Sequence, residues 1–216
     1  MSTVARLAGL KLDRWHDGLR ESVRTRPVVA FAWGVSRDVL VQRWLSAQGV
    51  ASRAWRDRAL PESADSARRW LNQAAEAFEA ARQDEALAAD ATLRLGLTTL
   101  YLGDADEAFR LWAAVRDLTG DEEALYLSHL FTARALVVLG RSDDAATAYR
   151  HAAAIRPRAQ SAGIAEAALQ FVAGEREGAA RHVDRLLTDP AVEDPWWRYV
   201  DLRWPERLQE LRRAVR

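Results

Sequence analysis

Apolar residues recur every three to four positions through the middle of the chain, which is the spacing of amphipathic α-helices. Leu93, Leu97 and Leu100 stand at i, i+4 and i+7, and Gly103 follows them. A second stripe, which ends before Gly140, contains Leu127, Leu130, Ala133, Leu136 and Val137. Each stripe stops at a glycine, and this predicts helices that end in a turn few other residues tolerate.

The same set of positions occurs three times between residues 85 and 190, and we call the three copies repeats 1, 2 and 3. Gly103, Gly140 and Gly174 set the register, at spacings of 37 and 34 residues. A small residue precedes each glycine, and an alanine, a bulky residue and an apolar residue follow it. The positions that define the repeats are Gly96, Gly103, Ala108, Trp112, Val115, Ala133, Gly140, Ala145, Tyr149, Ala152, Pro157, Ala167, Gly174, Ala179, Val183 and Leu186. A period near 34 residues predicts stacked pairs of helices.

This order of small residue, glycine turn, alanine, aromatic residue, alanine and terminal proline resembles the tetratricopeptide repeat. Repeat 2 is the most similar, from Ala133 to Pro157, and the resemblance covers residues 85–190. It implies an all-α fold in which helical hairpins stack into a right-handed solenoid. The first-helix aromatic residue of the family is missing, and its place is taken by Thr92, His129 and Gly163.

The resemblance also implies that the first helix of each pair lines a concave surface. The residues that it places there are Leu93, Leu97, Leu100, Tyr101, Leu127, Leu130, Arg134, Val137, Ile164, Ala168 and Phe171. Arg134 is the charged exception in a mostly apolar set. Since large apolar patches rarely stay empty, we expect an occupant. The candidates are the chain's own N-terminal segment, a second copy of the chain, and an amphipathic helix or peptide segment of a partner protein.

The sequence on either side of the repeats predicts three further segments. Residues 1–60 form a basic, Trp-rich segment that we expect to be helical and to dock on the repeats. Residues 61–84 are interpreted as a helix of a degenerate repeat, because Ala74, Phe78 and Ala81 lie 34 residues before Ala108, Trp112 and Val115. Residues 191–216 predict an aromatic turn and a C-terminal capping helix with an apolar stripe at Leu208, Leu211 and Val215. Asp194-Pro195 is interpreted as a helix start. A partner-binding hot spot is the alternative interpretation of these aromatic residues.

Charge is balanced overall but uneven along the chain. The sequence contains 31 basic and 31 acidic residues, yet residues 1–60 hold eleven against five and residues 61–140 hold seven against fourteen. These segments either attract each other, recruit different partners or form the solvated faces of helices. Residues 43–44 and 53–58 interleave arginine and tryptophan, so a nucleic-acid-binding module in the N-terminal segment is the alternative function.

The sequence contains no recognisable catalytic template. Cysteine is absent, the four histidines are scattered, and no phosphate-binding or nucleophile motif occurs. We therefore expect no cofactor, no metal and no catalysis, although an enzyme site between distant helices stays an alternative. The longest apolar run, residues 28–35, is too short to cross a membrane. The prediction is a bacterial, cytoplasmic protein–protein interaction scaffold.

Overall fold

The computed structural model describes residues 63–188 throughout, residues 194–196 and 199, and eight single positions between residues 27 and 41. This part of the chain contains helices, turns and no strand, so the predicted all-α fold of helical repeats is confirmed for it. The chain divides into two compact units, residues 1–103 and residues 104–216.

The helices of residues 63–188 follow one another with short connections. They are α1 (Ala64–Ala81), α2 (Ala88–Tyr101), α3 (Ala105–Leu118), α4 (Glu122–Val138), α5 (Ser142–Ile155), α6 (Gln160–Val172) and α7 (Arg176–Thr188). Repeat 1 corresponds to α2 and α3, repeat 2 to α4 and α5, and repeat 3 to α6 and α7. Within the second unit, each helix from α3 to α7 packs against the next one along the chain.

Three helices begin at a side chain that accepts a hydrogen bond from the free backbone N–H groups of the first turn. Ser63 accepts from the Ser66 amide at 3.2 Å, Asp104 from the Glu107 amide at 2.9 Å, and Asp121 from the Ala124 amide at 2.9 Å. Acidic residues follow in the first turn of α3, α4 and α5. Both features stabilise a helix N-terminus, so these carboxylates have a structural role.

The three register glycines end helices as the sequence predicts. Gly103, Gly140 and Gly174 have φ angles of +98°, +74° and +94°, a conformation that side chains with a Cβ rarely adopt. After Gly140, the Arg141 amide donates to the Leu136 carbonyl at 2.8 Å, and after Gly174 the Glu175 amide donates to the Gln170 carbonyl at 2.9 Å. These bonds satisfy carbonyl groups at the helix end and reverse the chain.

A pair of glycine substitutions tests this role of Gly140. We expect Gly140→Ala to lower the free energy of unfolding by about 1 kcal/mol, because alanine is strained at positive φ. Gly178, inside α7, has open space where a Cβ would lie, and its φ angle is not positive. Gly178→Ala should raise the free energy of unfolding by about 0.5 kcal/mol. Urea unfolding followed by circular dichroism measures both, and a stabilising Gly140→Ala would contradict the assignment.

The small residues of the repeat lie where helices approach each other. Buried positions of this kind are Gly96, Ala108, Ala133, Ala145, Ala152, Ala167 and Ala179. The Trp112 side chain is fully buried in the second unit, and its backbone carbonyl accepts a hydrogen bond from the Ser128 hydroxyl at 2.7 Å. The third repeat is less well covered. Val183, at the position equivalent to Trp112 and Tyr149, is only half-buried.

Gly163 stands where the tetratricopeptide pattern has an aromatic residue, and the structure shows why a large side chain does not fit. A Cβ added at Gly163 would lie 2.7 Å from Leu186 Cδ1 of α7. Beside this contact, the Gln160 side-chain amide donates to the Leu186 carbonyl at 2.7 Å. The N-terminal end of α6 therefore lies directly against the C-terminal part of α7.

The first unit contains described positions of the N-terminal segment, and these pack against α1 and α2. Ala30 belongs to a buried cluster with Ala77, Ala81 and Ala91, and the Phe31 ring meets the Phe78 ring edge-on at 6.1 Å. A second cluster joins Val41, Ala67 and Leu71. Like their counterparts Ala108, Trp112 and Val115 in repeat 1, the degenerate-repeat positions Ala74, Phe78 and Ala81 are fully buried.

Candidate functional site

The residues expected on the concave surface differ widely in exposure. The central apolar residues of repeats 1 and 2 are buried: Leu93, Leu97, Leu127 and Leu130. Half-buried residues are Leu100, Tyr101 and Arg134, and exposed ones are Val137, Ile164, Ala168 and Phe171. Within the described residues, the predicted surface is therefore not continuously open. The four buried leucines belong to the core and present no surface to a partner.

Exposure increases from repeat 1 to repeat 3 at equivalent positions. Leu93, Leu130 and Ile164 occupy one such position, and their exposed fractions are 1%, 6% and 43%. At the next equivalent position, Leu97 is buried, Arg134 is half-buried and Ala168 is exposed. The accessible part of the predicted surface is therefore concentrated in α6.

An open apolar groove of about 580 Å³ lies between α6 and α7. We call it the α6–α7 groove. Phe171 is 55% exposed there and Val172 is 84% exposed. The Arg176 guanidinium lies 5.6 Å from the Phe171 ring centroid. The lining side chains of α6 and α7 are Ile164, Ala167, Ala168, Phe171, Val172, Arg176, Ala179, Ala180, Val183 and Asp184.

Residues 194–196 and 199, the C-terminal turn, fold back onto α4 and the first turn of α6. The Asp194 carboxylate is buried and accepts hydrogen bonds from the Tyr126 hydroxyl at 3.0 Å, the Ser161 amide at 2.9 Å and the Trp196 amide at 3.1 Å. Asp194 thus caps a helix, as its residue type suggests, but the helix is α6, which begins 34 residues earlier in the chain. Residues 195–196 form a turn and Tyr199 is helical, and the predicted helix start at Asp194-Pro195 stays a prediction because residues 197–198 lie outside the described residues.

Aromatic rings hold the C-terminal turn against α4. The Phe131 ring centroid lies 5.3 Å from that of Trp196, 5.4 Å from that of Tyr199 and 5.3 Å from that of Trp112. The Arg134 guanidinium lies 5.3 Å from the Trp196 ring. Arg134, predicted as the charged residue of the concave surface, is therefore partly covered by the C-terminal turn of the same chain. This turn is not among the three occupants that the sequence suggested.

Tyr126 serves this site as a hydrogen-bond donor. Burial raises the pKa of its hydroxyl well above the usual value, and the negative charge of Asp194 raises that pKa further. The phenol consequently stays protonated and donates to the Asp194 carboxylate throughout the physiological range. Sequence reasoning missed Tyr126 and Asp194 as a pair, because they are 68 residues apart.

His129 and His151 meet between α4 and α5, with ring centroids 5.4 Å apart and nearly perpendicular planes. Burial lowers the pKa of His129, and the nearby positive charges of Arg116 and His151 lower it further. His129 is half-buried and His151 is exposed. The pair is therefore part of the helix packing, and the lowered pKa of His129 favours the neutral form of that side chain.

Acidification should weaken the second unit through His129. Its folded-state pKa is lowered, so the unfolded chain binds the proton more readily, and stability falls as pH decreases from the ordinary histidine pKa to the folded value. We expect the melting temperature of His129→Gln to depend less on pH between 7.5 and 5 than that of the wild type. His182→Gln is the control, and an unchanged pH dependence in His129→Gln would refute the assignment.

Among the described residues, no three histidine or carboxylate side chains are grouped so that they could hold a metal ion. Nor does any of the helices described reach the length and apolar character required to cross a membrane. The Arg/Trp pattern of residues 43–44 and 53–58 and the predicted capping helix lie outside the described residues. No protein-family model matches the sequence, and neither does any curated protein.

Proposed function

We propose that this protein is a non-catalytic protein–protein interaction scaffold with tetratricopeptide-like repeats, which acts in a bacterial cytoplasmic assembly. Its binding site is the α6–α7 groove, and its partner contributes an amphipathic helix. The observation that carries the proposal is the open apolar groove at the end of the repeats, where Phe171 and Val172 are more than half exposed.

The form of the groove suits a helix. Ile164, Ala168 and Phe171 stand at i, i+4 and i+7 on α6, and Ala180 and Val183 line the other wall on α7. Two adjacent helices with small side chains between larger ones form a channel into which the ridge of a third helix packs. Ala168 and Ala180 are the small side chains here. A partner helix with an apolar residue on each turn would bury this surface.

Polar residues at the groove support specific binding. Arg176 lies at the Phe171 end, and Asp184 lies on α7 near the Ile164 end, where Gly163 and Leu186 are in contact. Opposite charges at the two ends favour one direction of a bound helix over the other. In contrast, the buried carboxylate of Asp194 is used to cap α6, which supports a structural role for it.

Charge substitutions at exposed sites test the proposal without disturbing the core. The tagged full chain is used to capture proteins from cells that express it, with cross-linking to map the contact, and the partner is then purified for calorimetry. Phe171→Lys should weaken binding of the purified partner by at least about tenfold, as hot-spot changes do. Leu118→Lys, at a side chain 45% exposed on α3, is the matched control and should bind normally.

Phe171 suits this test because its side chain is exposed. Charges at Leu97 or Leu130 would disrupt the core, since both side chains are buried, whereas Phe171 is exposed and its substitution should leave the circular dichroism spectrum unchanged. If Phe171→Lys binds every captured partner with wild-type affinity, the α6–α7 groove is not the binding site and the proposal is wrong.

A further inference from the structure

We infer that two copies of this chain associate through the α6–α7 groove, about a two-fold axis that sets α6 of one copy antiparallel to α6 of the other. The helices that fill the groove of one copy are then α6 and α7 of the second copy. The inference rests on the proposed function only in that both take the α6–α7 groove as a binding site. Three features of the groove carry it: an uncharged outer face of α6, a symmetric order of apolar side chains, and opposite charges at the two ends.

The side of α6 that lines the groove carries no charge. Glu166 is the only charged residue of α6, and its carboxylate is mostly buried and lies 3.7 Å from the Arg150 guanidinium of α5. The exposed side chains that α6 contributes to the groove include Ile164, Ala168 and Phe171. A centre from which charged residues are missing is typical of surfaces that become buried between protein molecules.

The apolar side chains of α6 are arranged almost symmetrically about Ala168. Ile164 lies four residues before it and Phe171 lies three residues after it. When the second copy packs antiparallel, Phe171 of each copy meets Ile164 of the other, and the two Ala168 side chains lie near the axis. Small side chains at the crossing let the helices approach closely, and the larger ones on either side fill the space between them. The α6 face is therefore complementary to itself.

The charges that line the groove are symmetric in the same sense. Arg176 and Asp184 lie eight residues apart on α7, and Ala180 lies midway between them. Antiparallel pairing brings the Arg176 guanidinium of each copy to the Asp184 carboxylate of the other. Parallel pairing would bring like charges together at both ends, which is unfavourable. Eight residues of α7 span ~12 Å and the seven from Ile164 to Phe171 span ~10 Å, so the apolar and the charged contacts form in one register.

The remaining charges of this hairpin favour the same direction. The charged residues near the turn are Glu175, Arg176 and Glu177, and those towards the other end are Arg181, Asp184 and Arg185. The first group has a net charge of −1 and the second a net charge of +1. Antiparallel pairing therefore sets a negative end against a positive end twice, whereas parallel pairing sets like ends against each other.

The size of the groove predicts a weak dimer. Ten residues of each copy line it, whereas an interface of standard size contains about 20–30 residues on each side. We therefore expect a dissociation constant of about 10 μM, so that the dimer depends on the protein concentration.

Sedimentation velocity of the full chain tests the pairing. Between about 1 and about 200 μM, the wild type should change from monomer to dimer. Phe171→Lys should raise the dissociation constant at least about tenfold, because it brings a charge into the apolar centre. Leu118→Lys, at an exposed side chain of α3, is the matched control and should dimerise like the wild type. Circular dichroism verifies that both variants remain helical.

Charge reversal tests the antiparallel direction at two exposed positions. Arg176→Asp and Asp184→Arg should each raise the dissociation constant about fivefold, because like charges then meet at both ends of the groove. An equimolar mixture of these two variants should dimerise like the wild type, since each chain then meets the opposite charges of the other. The chain with both substitutions should also dimerise like the wild type.

Each other result overturns the inference. A wild type that stays monomeric at every concentration, or a dimer that Phe171→Lys does not affect, would mean that no second copy occupies the groove. Single charge variants that dimerise normally, or a mixture that does not recover, would mean that the copies do not pair antiparallel.

The proposed function has a separate measurement, the binding of a captured partner of different sequence. If the chain stays monomeric while Phe171→Lys weakens binding of that partner, the proposed function stands and the dimer is wrong. If Phe171→Lys abolishes the dimer but binds every such partner with wild-type affinity, the dimer stands and the proposed function is wrong.

Discussion

Phe131→Ala should lower the free energy of unfolding by about 4 kcal/mol, the largest effect that we expect from a single side chain. The Phe131 side chain is fully buried and lies within about 5.4 Å, between ring centroids, of Trp112, Trp196 and Tyr199. Its removal leaves a cavity between α3, α4 and the C-terminal turn. The remaining rings cannot close that cavity without moving the backbone, so both transfer energy and packing contacts are lost.

The control for this prediction is a phenylalanine in the next repeat. Phe171 is 55% exposed in the α6–α7 groove, so Phe171→Ala should change the free energy of unfolding by only about 0.5 kcal/mol. Urea unfolding measured by far-ultraviolet circular dichroism gives both values. Similar losses in the two variants would contradict the distinction between the buried aromatic cluster and the open groove.

Asp194→Ala should lower the free energy of unfolding by about 3 kcal/mol. The substitution removes the acceptor for the Tyr126 hydroxyl, the Ser161 amide and the Trp196 amide at once. The Tyr126 hydroxyl is buried, so the loss of its partner costs more than the bond itself contributes. Since Asp194 also caps α6, we expect faster hydrogen exchange in the first turn of that helix.

A double-mutant cycle isolates the Tyr126–Asp194 bond. Tyr126→Phe should cost about 1 kcal/mol in the wild type and close to nothing in the Asp194→Ala background, because its partner is then already missing. Asp184→Ala, at an exposed carboxylate on α7, serves as a control for charge removal. Fully additive effects of Tyr126→Phe and Asp194→Ala would show that the bond does not couple α4 to the C-terminal turn.

Phe131→Ala and Asp194→Ala affect the C-terminal turn without changing the lining of the α6–α7 groove. Phe131 and Asp194 hold residues 194–196 and 199 against α4 and α6, and neither of them lines the α6–α7 groove. The loss of stability in either variant therefore reports on the C-terminal turn and not on the groove.

The repeats and their turns follow from local features of the sequence. Gly103, Gly140 and Gly174 were predicted as turn residues from their spacing, and each has the positive φ angle that only glycine adopts readily. The caps at Asp104 and Asp121 likewise depend on residues within three positions. Such features are visible in one sequence because the groups that interact lie within one turn of each other.

Exposure within an apolar stripe was not predictable in the same way. Leu130 and Ile164 are apolar residues at equivalent positions of repeats 2 and 3, yet the first is buried and the second is 43% exposed. The spacing of apolar residues in an amphipathic helix indicates which residues share a face, but not what covers that face. The covering groups come from other parts of the chain.

Sequence by itself therefore determined the helices, their ends and the all-α repeat, because hydrophobic periodicity, capping and backbone strain act over a few residues. Only the tertiary structure decided which faces are core and which remain open. Asp194 caps α6 from 33 residues beyond Ser161, and it meets Tyr126 from 68 residues away. Contacts over such separations depend on how whole helices pack, which no local pattern specifies.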